Sequence, residues 1–591
     1  MLPLMPSITI NGRKCDFTPG QMILQVANAH GIEIPQYCYH DGPSIVASCR
    51  ICLAEVWQPN PRNNNALEPL PKLVPTCQTA CADGMVVYTD SPKSIANQKA
   101  VMEYLLINHP LDCPVCDQSG ECFLQDYSYE YGRAESRFEE TKVKQPKKDL
   151  GPHVYLYADR CIMCTRCVRF TREVTGTAEL SVQGRGNKEE IDIFPGEALA
   201  NELSANVIDL CPVGALLDKD FLFAQRVWFL KGTPSIDGVT ASGDNIRVDS
   251  NDDKVYRLKP RTNMNVNKWW ISDEIRYGYK HVHSDARLLM PRRRQFGVQV
   301  ESDWNRAYDD ALEGLQRAAA GAGGLAVLVS PMLSCEDAYL LASLALKIDP
   351  RATLAIGPVP THGQDKTFPG GYTVYAEKAP NARGVRRVLS AVAGALGGSF
   401  VEFPDFLSRL TAGRAKAVLL TGNYPSRWAT PELLRALDAG AGGSARPFTV
   451  LLDTLDSELV GRADVVLPSC TWLEKAGTFE NAKNLLQAFE QAIPPVGLSK
   501  SEGQIALDLL ALASGVKAQI RTEERVINPS KLGQVPGSTE VATPMRDWFN
   551  AASVRQEMAS KVGGALSAMV TDVQMPAPEV AQQADMEMVE V

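Results

Sequence analysis

Thirteen of the fifteen cysteines in this 591-residue chain stand within its first 211 positions, and that asymmetry restricts what the N-terminal part can become. The opening, MLPLMPSITINGRKC, has no basic stretch leading into a long apolar run, so no standard export signal is read and a disulfide framework is not expected. Metal binding is the leading reading for so many thiols. No run approaches the ~18 apolar residues of a spanning helix, so a soluble chain with no direct membrane span is expected.

The length exceeds what one core holds, so several domains are expected, and 45% hydrophobic with 22% charged residues is ordinary globular composition. A net charge of -9 and a pI near 5.5 argue against a nucleic-acid partner. The run Arg292–Arg294 is too short to reverse that and reads as a solvated or partner-facing patch.

Two alternating runs around Asn11-Gly12 predict a hairpin, and Gln21 to His30 predicts a helix stopped at Gly31. A second helix is expected with Ser91 as cap and Pro92 in its first turn, with Val101, Met102, Leu105 and Leu106 on one side and Pro110 closing it. That places His109 at the helix exit, just ahead of three cysteines. TKVKQPKKDLG reads as a connection. Beyond about residue 222, the apolar runs GGLAVLVS, ATLAIG, AKAVLLTG and RPFTVLLD, with helical stretches such as Glu336–Lys347 and Thr430–Leu437, form the pattern of a parallel α/β sheet. No Walker sequence or G-x-G-x-x-G follows any of these runs, so no nucleotide site is read there. The last twenty residues read as a disordered tail.

The cysteines fall into three constellations. Cys38-x10-Cys49-x2-Cys52 is followed at a distance by Cys77, with Cys81 as a rival fourth ligand; Cys77 is favoured. Three loop cysteines and a remote fourth suit a [2Fe–2S] cluster, whereas zinc modules usually pair two close ligand units and only one close pair exists here. The second group is His109-x3-Cys113-x2-Cys116-x5-Cys122. Imidazole can replace a thiolate on a cluster iron, and ligation by His109 completes a site that otherwise lacks a fourth protein ligand. The third is Cys161-x2-Cys164-x2-Cys167 with Cys211-Pro212, one triplet and one Cys-Pro closing on a single [4Fe–4S] cluster. Cys15, Cys81, Cys335 and Cys470 remain as buried or semi-buried thiols.

IPQYCYHDG, CRICLAEV, NHPLDCPVCDQSGECFLQD and RCIMCTRCVRF, in that order, resemble the N-terminal half of the large iron–sulfur subunit of respiratory complex I, the G-type subunit family of NADH–quinone oxidoreductase. The resemblance implies Cys77 as the fourth [2Fe–2S] ligand, because it stands seven residues before Gly84 and the apolar MVVYTD. It implies an α/β and α+β multidomain chain: a β-grasp [2Fe–2S] ferredoxin-like domain (1–90), a [4Fe–4S] domain with one histidine and three cysteine ligands (91–150) and an all-cysteine [4Fe–4S] ferredoxin-like domain (151–222). There follow a degenerate fourth-cluster domain (223–295), a shortened molybdopterin-oxidoreductase-like relic (296–515) and a partly disordered extension (516–591). At the places where some members hold an additional [4Fe–4S] cluster, this chain has Asp237, Thr240, Asp244 and Ser272, so that cluster is expected to be absent.

The function implied is an electron wire: one [2Fe–2S] and two [4Fe–4S] clusters relaying single electrons from an NADH/FMN partner toward quinone. No catalytic residue, NADH or quinone site, molybdenum or FMN is expected on the chain itself. The implied partners are the flavin- and NADH-binding subunit and the downstream iron–sulfur and quinone-module subunits, at the cytoplasmic face of the inner membrane. An NAD-linked hydrogenase or formate dehydrogenase subunit is the alternative, and a zinc-stabilised module the lesser one. A hydrogenase needs a further cysteine set, yet only Cys335 and Cys470 lie downstream.

Overall fold

Asn11 and Gly12, at φ of 47° and 80°, turn the chain between the antiparallel strands Ser7–Ile10 and Arg13–Asp16, the paired left-handed conformation that a two-residue hairpin demands. The computed structural model describes residues 5–320, 324–438, 446–516 and 548–576. The segment read as a disordered tail lies outside the described residues from 577 onward. The chain divides into two compact units, Met1–Leu230 with Thr367–Tyr372, and Lys231–Lys366 with Thr373–Val591.

In the first unit, Ser7–Ile10 also pairs in parallel with Val86–Tyr88, which pairs antiparallel with Leu53–Asn60. The short helix Ile23–Ala29 buries Ile23, Leu24, Val26 and Ala27 against this mixed sheet, the β-grasp arrangement. Gly31, at φ 65°, takes the left-handed position after its end. The second helix runs Pro92–Leu106, capped by Ser91, whose Oγ accepts from the Ser94 amide at 3.3 Å. Its fully buried stripe is Ser94, Gln98 and Met102, four residues apart, and the apolar side expected from the sequence is only partly covered. Tertiary partners explain the difference. Ser94 Oγ donates to the Tyr88 carbonyl at 3.0 Å, Gln98 Nε2 donates to Thr89 O at 3.1 Å, and Tyr37 donates its hydroxyl to Met102 Sδ at 3.2 Å. The helix is thereby fastened to the residue before Cys38.

The rest of this unit carries a three-stranded sheet of Lys147–Asp149, Val154–Tyr157 and Leu216–Asp218, with a hairpin of Leu180–Gln183 and Glu190–Ile193. The helical stretch Arg166–Arg169 carries Cys167 of the third cysteine group, and Asn206–Leu210 ends at Cys211.

The second unit opens with an antiparallel sheet of Lys231–Ile236, Asn245–Asn251 and Lys254–Pro260. Among the described residues its main sheet has eight strands, of which six are parallel. The spatial order is Val465–Pro468, Phe448–Asp453, Ala417–Thr421, Leu325–Val329, Thr353–Ile356 and Ser399–Val401, a doubly wound sheet whose strand order reverses between Leu325–Val329 and Ala417–Thr421. Arg292–Gln295 adds an antiparallel strand beside Val465–Pro468. The arginine run, read as a solvated or partner-facing patch, is partly exposed and ion-paired: Arg292 pairs with Asp456 at 3.0 Å, Arg293 with Asp310 at 2.7 Å, and Arg294 reaches Asp464 at 3.8 Å. No helix among the described residues is long and apolar enough to cross a membrane.

Candidate metal centres

Cys52 immediately precedes the strand Leu53–Asn60 and Cys77 follows the short strand Val74–Pro75, which pairs with it at Leu53↔Pro75. Thr76 ties the two, its Oγ1 donating to Cys52 O at 3.0 Å. Cys38 and Cys49 come from the loop between helix and strand, and Cys38, Cys52 and Cys77 are at most 2% exposed. Thiol hydrogen bonds link Cys38 to Cys49, Cys38 to Cys77 and Cys52 to Cys77. These bonds hold Cys38 well below the usual thiol range and bring Cys52 down to about 7, while Cys49 and Cys77, as donors, are pushed up. Cys81 lies apart, beside Cys15, with burial raising it to about 11. The structure groups four cysteines of the first motif and leaves Cys81 out.

In the second motif, Cys113–Val115 forms a single 3₁₀ turn, and Cys122 sits at the N-cap of the helix Phe123–Tyr131. Cys113 is exposed, whereas Cys116 and Cys122 are each 8% exposed. Burial raises the Cys116 thiol and takes Cys122 to about 12, and the charges of Cys113 on Cys116 and of Cys116 on Cys122 add to this. Burial, with Arg160 and Lys142 nearby, holds His109 down at about 4, so its imidazole is neutral near pH 7, as a ligand must be. Arg160 is the common neighbour of His109 and Cys116.

Cys161, Cys164, Cys167 and Cys211 line one small cavity, closed by Leu156, Ile162, Thr165, Arg166, Ile191 and Val213 among others. Burial dominates all four thiols, taking Cys164 to about 11 and Cys161 to about 12. Backbone amides already point at the sulfurs: Met163 N donates to Cys161 Sγ at 3.4 Å, and the amides of Val213, Ala215 and Leu216 favour the Cys211 thiolate. This turn stores strain, since Met163 and Thr165 hold φ of 52° and 59°, which costs a non-glycine residue on the order of 1–3 kcal/mol. Four deprotonatable sulfurs around a void, with N–H donors aimed at them, fit a cluster ligand set.

The second and third motifs adjoin. A Cβ on Gly214 would stand 2.2 Å from Cys116 Sγ, so only glycine lets the loop after Cys211 lie against that cysteine. The amide of Phe123 donates to Pro212 O at 3.1 Å across the same junction. Among the described residues, no group of three or more His, Cys, Asp or Glu side chains converges on the point a single metal ion would occupy. A cluster spreads its ligands around an inorganic core instead, which is the arrangement the cavity offers.

Cysteine spacing alone passes over the arginines interleaved with the ligands. Arg160, Arg166, Arg169 and Arg226 all donate to backbone carbonyls of cysteine-bearing loops or their neighbours. For three of them the signal is present in RCIMCTRCVRF, where every cysteine has an arginine within two positions; Arg226 stands outside that stretch.

Family profiles match most of the first unit. Residues 5–92 match a 2Fe–2S iron–sulfur cluster binding domain, 98–137 the NADH-ubiquinone oxidoreductase-G iron–sulfur binding region, and 151–217 the ferredoxin-like domain of NADH-quinone oxidoreductase subunit 3. This chain resembles the large iron–sulfur subunit of NADH–quinone oxidoreductase. The G subunit of that enzyme from Rickettsia felis is 37% identical over 344 residues, which is 58% of this chain and 49% of the relative. The mitochondrial NADH dehydrogenase [ubiquinone] iron–sulfur protein 1 of Solanum tuberosum is 46% identical over 272 residues, 46% of this chain and 35% of the relative. The matches thus span half or less of these relatives' length. A solved NAD+-reducing [NiFe]-hydrogenase in the H2-reduced state shares 28% identity and covers 38% of this chain and 91% of its own, with a TM-score of 0.31. In the second unit, residues 230–280 match a 4Fe–4S domain of the same NADH-ubiquinone oxidoreductase subunit type, and 408–511 match a molybdopterin oxidoreductase domain. Domains of both the 2Fe–2S and the 4Fe–4S type are therefore present, followed by a molybdopterin-oxidoreductase-like α/β sheet.

The 230–280 region carries no cysteine. Asp237 is fully buried and its carboxylate accepts from Val239 N at 2.7 Å, Thr240 N at 3.1 Å, the Thr240 hydroxyl and Ser242 Oγ at 2.9 Å. Asp237 N donates to Asp244 O at 2.8 Å, and Ser272 Oγ caps the helix Asp273–Tyr277. A closed hydrogen-bond network stands at Asp237, Thr240 and Asp244.

Proposed function

We propose that this chain is an electron-carrying subunit of an NADH–quinone oxidoreductase, holding one [2Fe–2S] cluster on Cys38, Cys49, Cys52 and Cys77, and two [4Fe–4S] clusters. One of these is held by His109, Cys113, Cys116 and Cys122, the other by Cys161, Cys164, Cys167 and Cys211. The observation that carries the reading is the convergence of Cys161, Cys164, Cys167 and the distant Cys211 on one buried cavity. Bound there, such clusters take up and release single electrons without proton chemistry at the protein.

The chain's own residues do the rest. Burial of most of the thiols, with Cys113 exposed and Cys49 and Cys161 half-buried, limits water, the amides around Cys211 and Cys161 favour the thiolate form, and a neutral His109 presents a nitrogen without adding charge. The abutment of Cys116 on Gly214 brings the second and third ligand sets side by side, which favours transfer between them. We assign the domains as 1–90, 91–150, 151–222, 223–295, 296–515 and 516–591. The region 223–295 has lost its cluster to the Asp237 network, and the α/β domain is a scaffold without molybdenum. The partners are a flavin- and NADH-binding subunit and further iron–sulfur and quinone-module subunits, peripheral to the cytoplasmic face of a membrane.

Freeze-quenched EPR of the intact complex tests the donor. NADH is expected to reduce the cluster signals within one turnover, while H2 and formate leave them oxidised. Reduction by H2 or formate but not by NADH would assign the chain to the alternative machine.

A further inference from the structure

Arg166 and Arg169 are 5% and 8% exposed, and among the described residues neither has a carboxylate within ion-pairing distance. Their hydrogen bonds go to carbonyl oxygens alone. Arg166 donates from Nη1 to Leu210 O at 3.3 Å and from Nη2 to Tyr39 O. Arg169 donates from Nη2 to Cys38 O at 2.5 Å and Cys164 O at 3.3 Å, and from Nη1 to Ser44 O. The Nε of each is buried with no hydrogen-bond partner. Glu173, four residues past Arg169, gives its two oxygens to the amide and hydroxyl of Ser44.

Two buried cations without an anion are costly, because neutral carbonyls replace only part of the lost hydration. The missing negative charge has a place. Arg166 lines the cavity of Cys161, Cys164, Cys167 and Cys211, and Arg169 bridges the backbone of Cys38 to that of Cys164. Both guanidinium groups therefore lie where the first and third cysteine sets meet, and four thiolates around iron carry net negative charge. We propose that Arg166 and Arg169 are counter-cations shared by the cluster on Cys38, Cys49, Cys52 and Cys77 and the cluster on Cys161, Cys164, Cys167 and Cys211, raising both reduction potentials. This inference rests on the function proposed above. A fixed cation stabilises the more negative, reduced state of each neighbour, so the pair acts as positioning residues that set potential through charge.

The test is an EPR-monitored redox titration of the purified protein beside Arg166→Gln, Arg169→Gln and Arg169→Lys, with iron content measured in each. The glutamine variants are expected to lower the reduced-to-oxidised ratio of the binuclear signal and of the all-cysteine tetranuclear signal at least tenfold at fixed poise, about 59 mV for a one-electron couple. Arg169→Lys is expected to stay near wild type. Glutamine variants with full iron and unmoved potentials overturn the proposal. If a glutamine variant fails to retain iron, the lysine variant decides: a tenfold fall with the charge retained overturns the proposal, and a wild-type potential supports it. Wild-type protein without iron–sulfur signals would instead overturn the function on which this inference rests.

Discussion

Asp112 accepts from both Nε and Nη2 of Arg160 through one carboxylate oxygen, at 3.1 and 2.9 Å. Each residue stands immediately before the first cysteine of its motif, Asp112 before Cys113 and Arg160 before Cys161. The ion pair therefore sets the separation of two ligand sets at their starting points. Arg160 is 3% exposed and Asp112 26%, so removing the carboxylate strands a nearly buried cation. Asp112→Asn should cost about 2 kcal/mol, less than the loss for a fully buried pair. We expect roughly tenfold faster bleaching of the tetranuclear clusters under an iron chelator; an unchanged rate would make the pair incidental.

Cys77→Ser and Cys81→Ser should separate cleanly. Cys77 hydrogen-bonds Cys38 and Cys52, whereas Cys81 neighbours Cys15. The binuclear EPR signal is expected to vanish in the first variant and persist in the second, and the reverse result would move the fourth ligand to Cys81.

Asp237 is expected to make the second unit pH-sensitive. Burial raises its carboxyl from an ordinary 3.8 to about 6, against the pull of Thr240, Val239 and Ser242. The contribution is fully present below about pH 4, declines as pH rises and is lost above about pH 6, a change of about 3 kcal/mol. Denaturant midpoints measured from pH 4 to 7 should fall in wild type relative to Asp237→Asn. Parallel curves for the two proteins would show that the buried carboxyl titrates normally.

Lys475 is 2% exposed, lies 2.9 Å from Asp337 Oδ2 and also pairs with Glu502 Oε2; both carboxylates are fully buried. Asp337 also accepts from Ser334 Oγ at 2.8 Å at the start of the helix Cys335–Ile348 and from Gly503 N at 2.8 Å. Lys475→Met leaves two buried anions without a cation and is expected to destabilise the α/β unit by about 3–5 kcal/mol. Calorimetry should show the loss while the cluster potentials stay in place; shifted potentials would contradict a purely structural role for this triad.

Cysteine spacing is a record that folding leaves visible, because ligand geometry constrains sequence separation directly. The Asn11-Gly12 hairpin and the Ser91-Pro92 helix start were legible for the same kind of local reason. Arg166 and Arg169 stand beside the cysteines in RCIMCTRCVRF, but that proximity did not show that both are buried with only carbonyl partners, which depends on Tyr39, Ser44 and Leu210 far away in sequence. Nor could periodicity show that Pro92–Leu106 buries Ser94 and Gln98, which are satisfied by the carbonyls of Tyr88 and Thr89. Apolar runs announced a parallel sheet but carried no information on strand order, which long-range pairing decides. The partly exposed run Arg292–Arg294 was legible as charged surface, whereas its pairing with Asp456, Asp310 and Asp464 was not, because those partners lie on other elements of the fold.

The most direct measurement is low-temperature EPR, with iron and zinc analysis, on anaerobically purified protein beside His109→Cys. About ten irons per chain are expected, in one binuclear and two tetranuclear clusters, with one tetranuclear signal altered by the substitution. Zinc in place of iron would contradict the electron wire altogether, and iron with signals indifferent to His109 would remove the histidine from the ligand set.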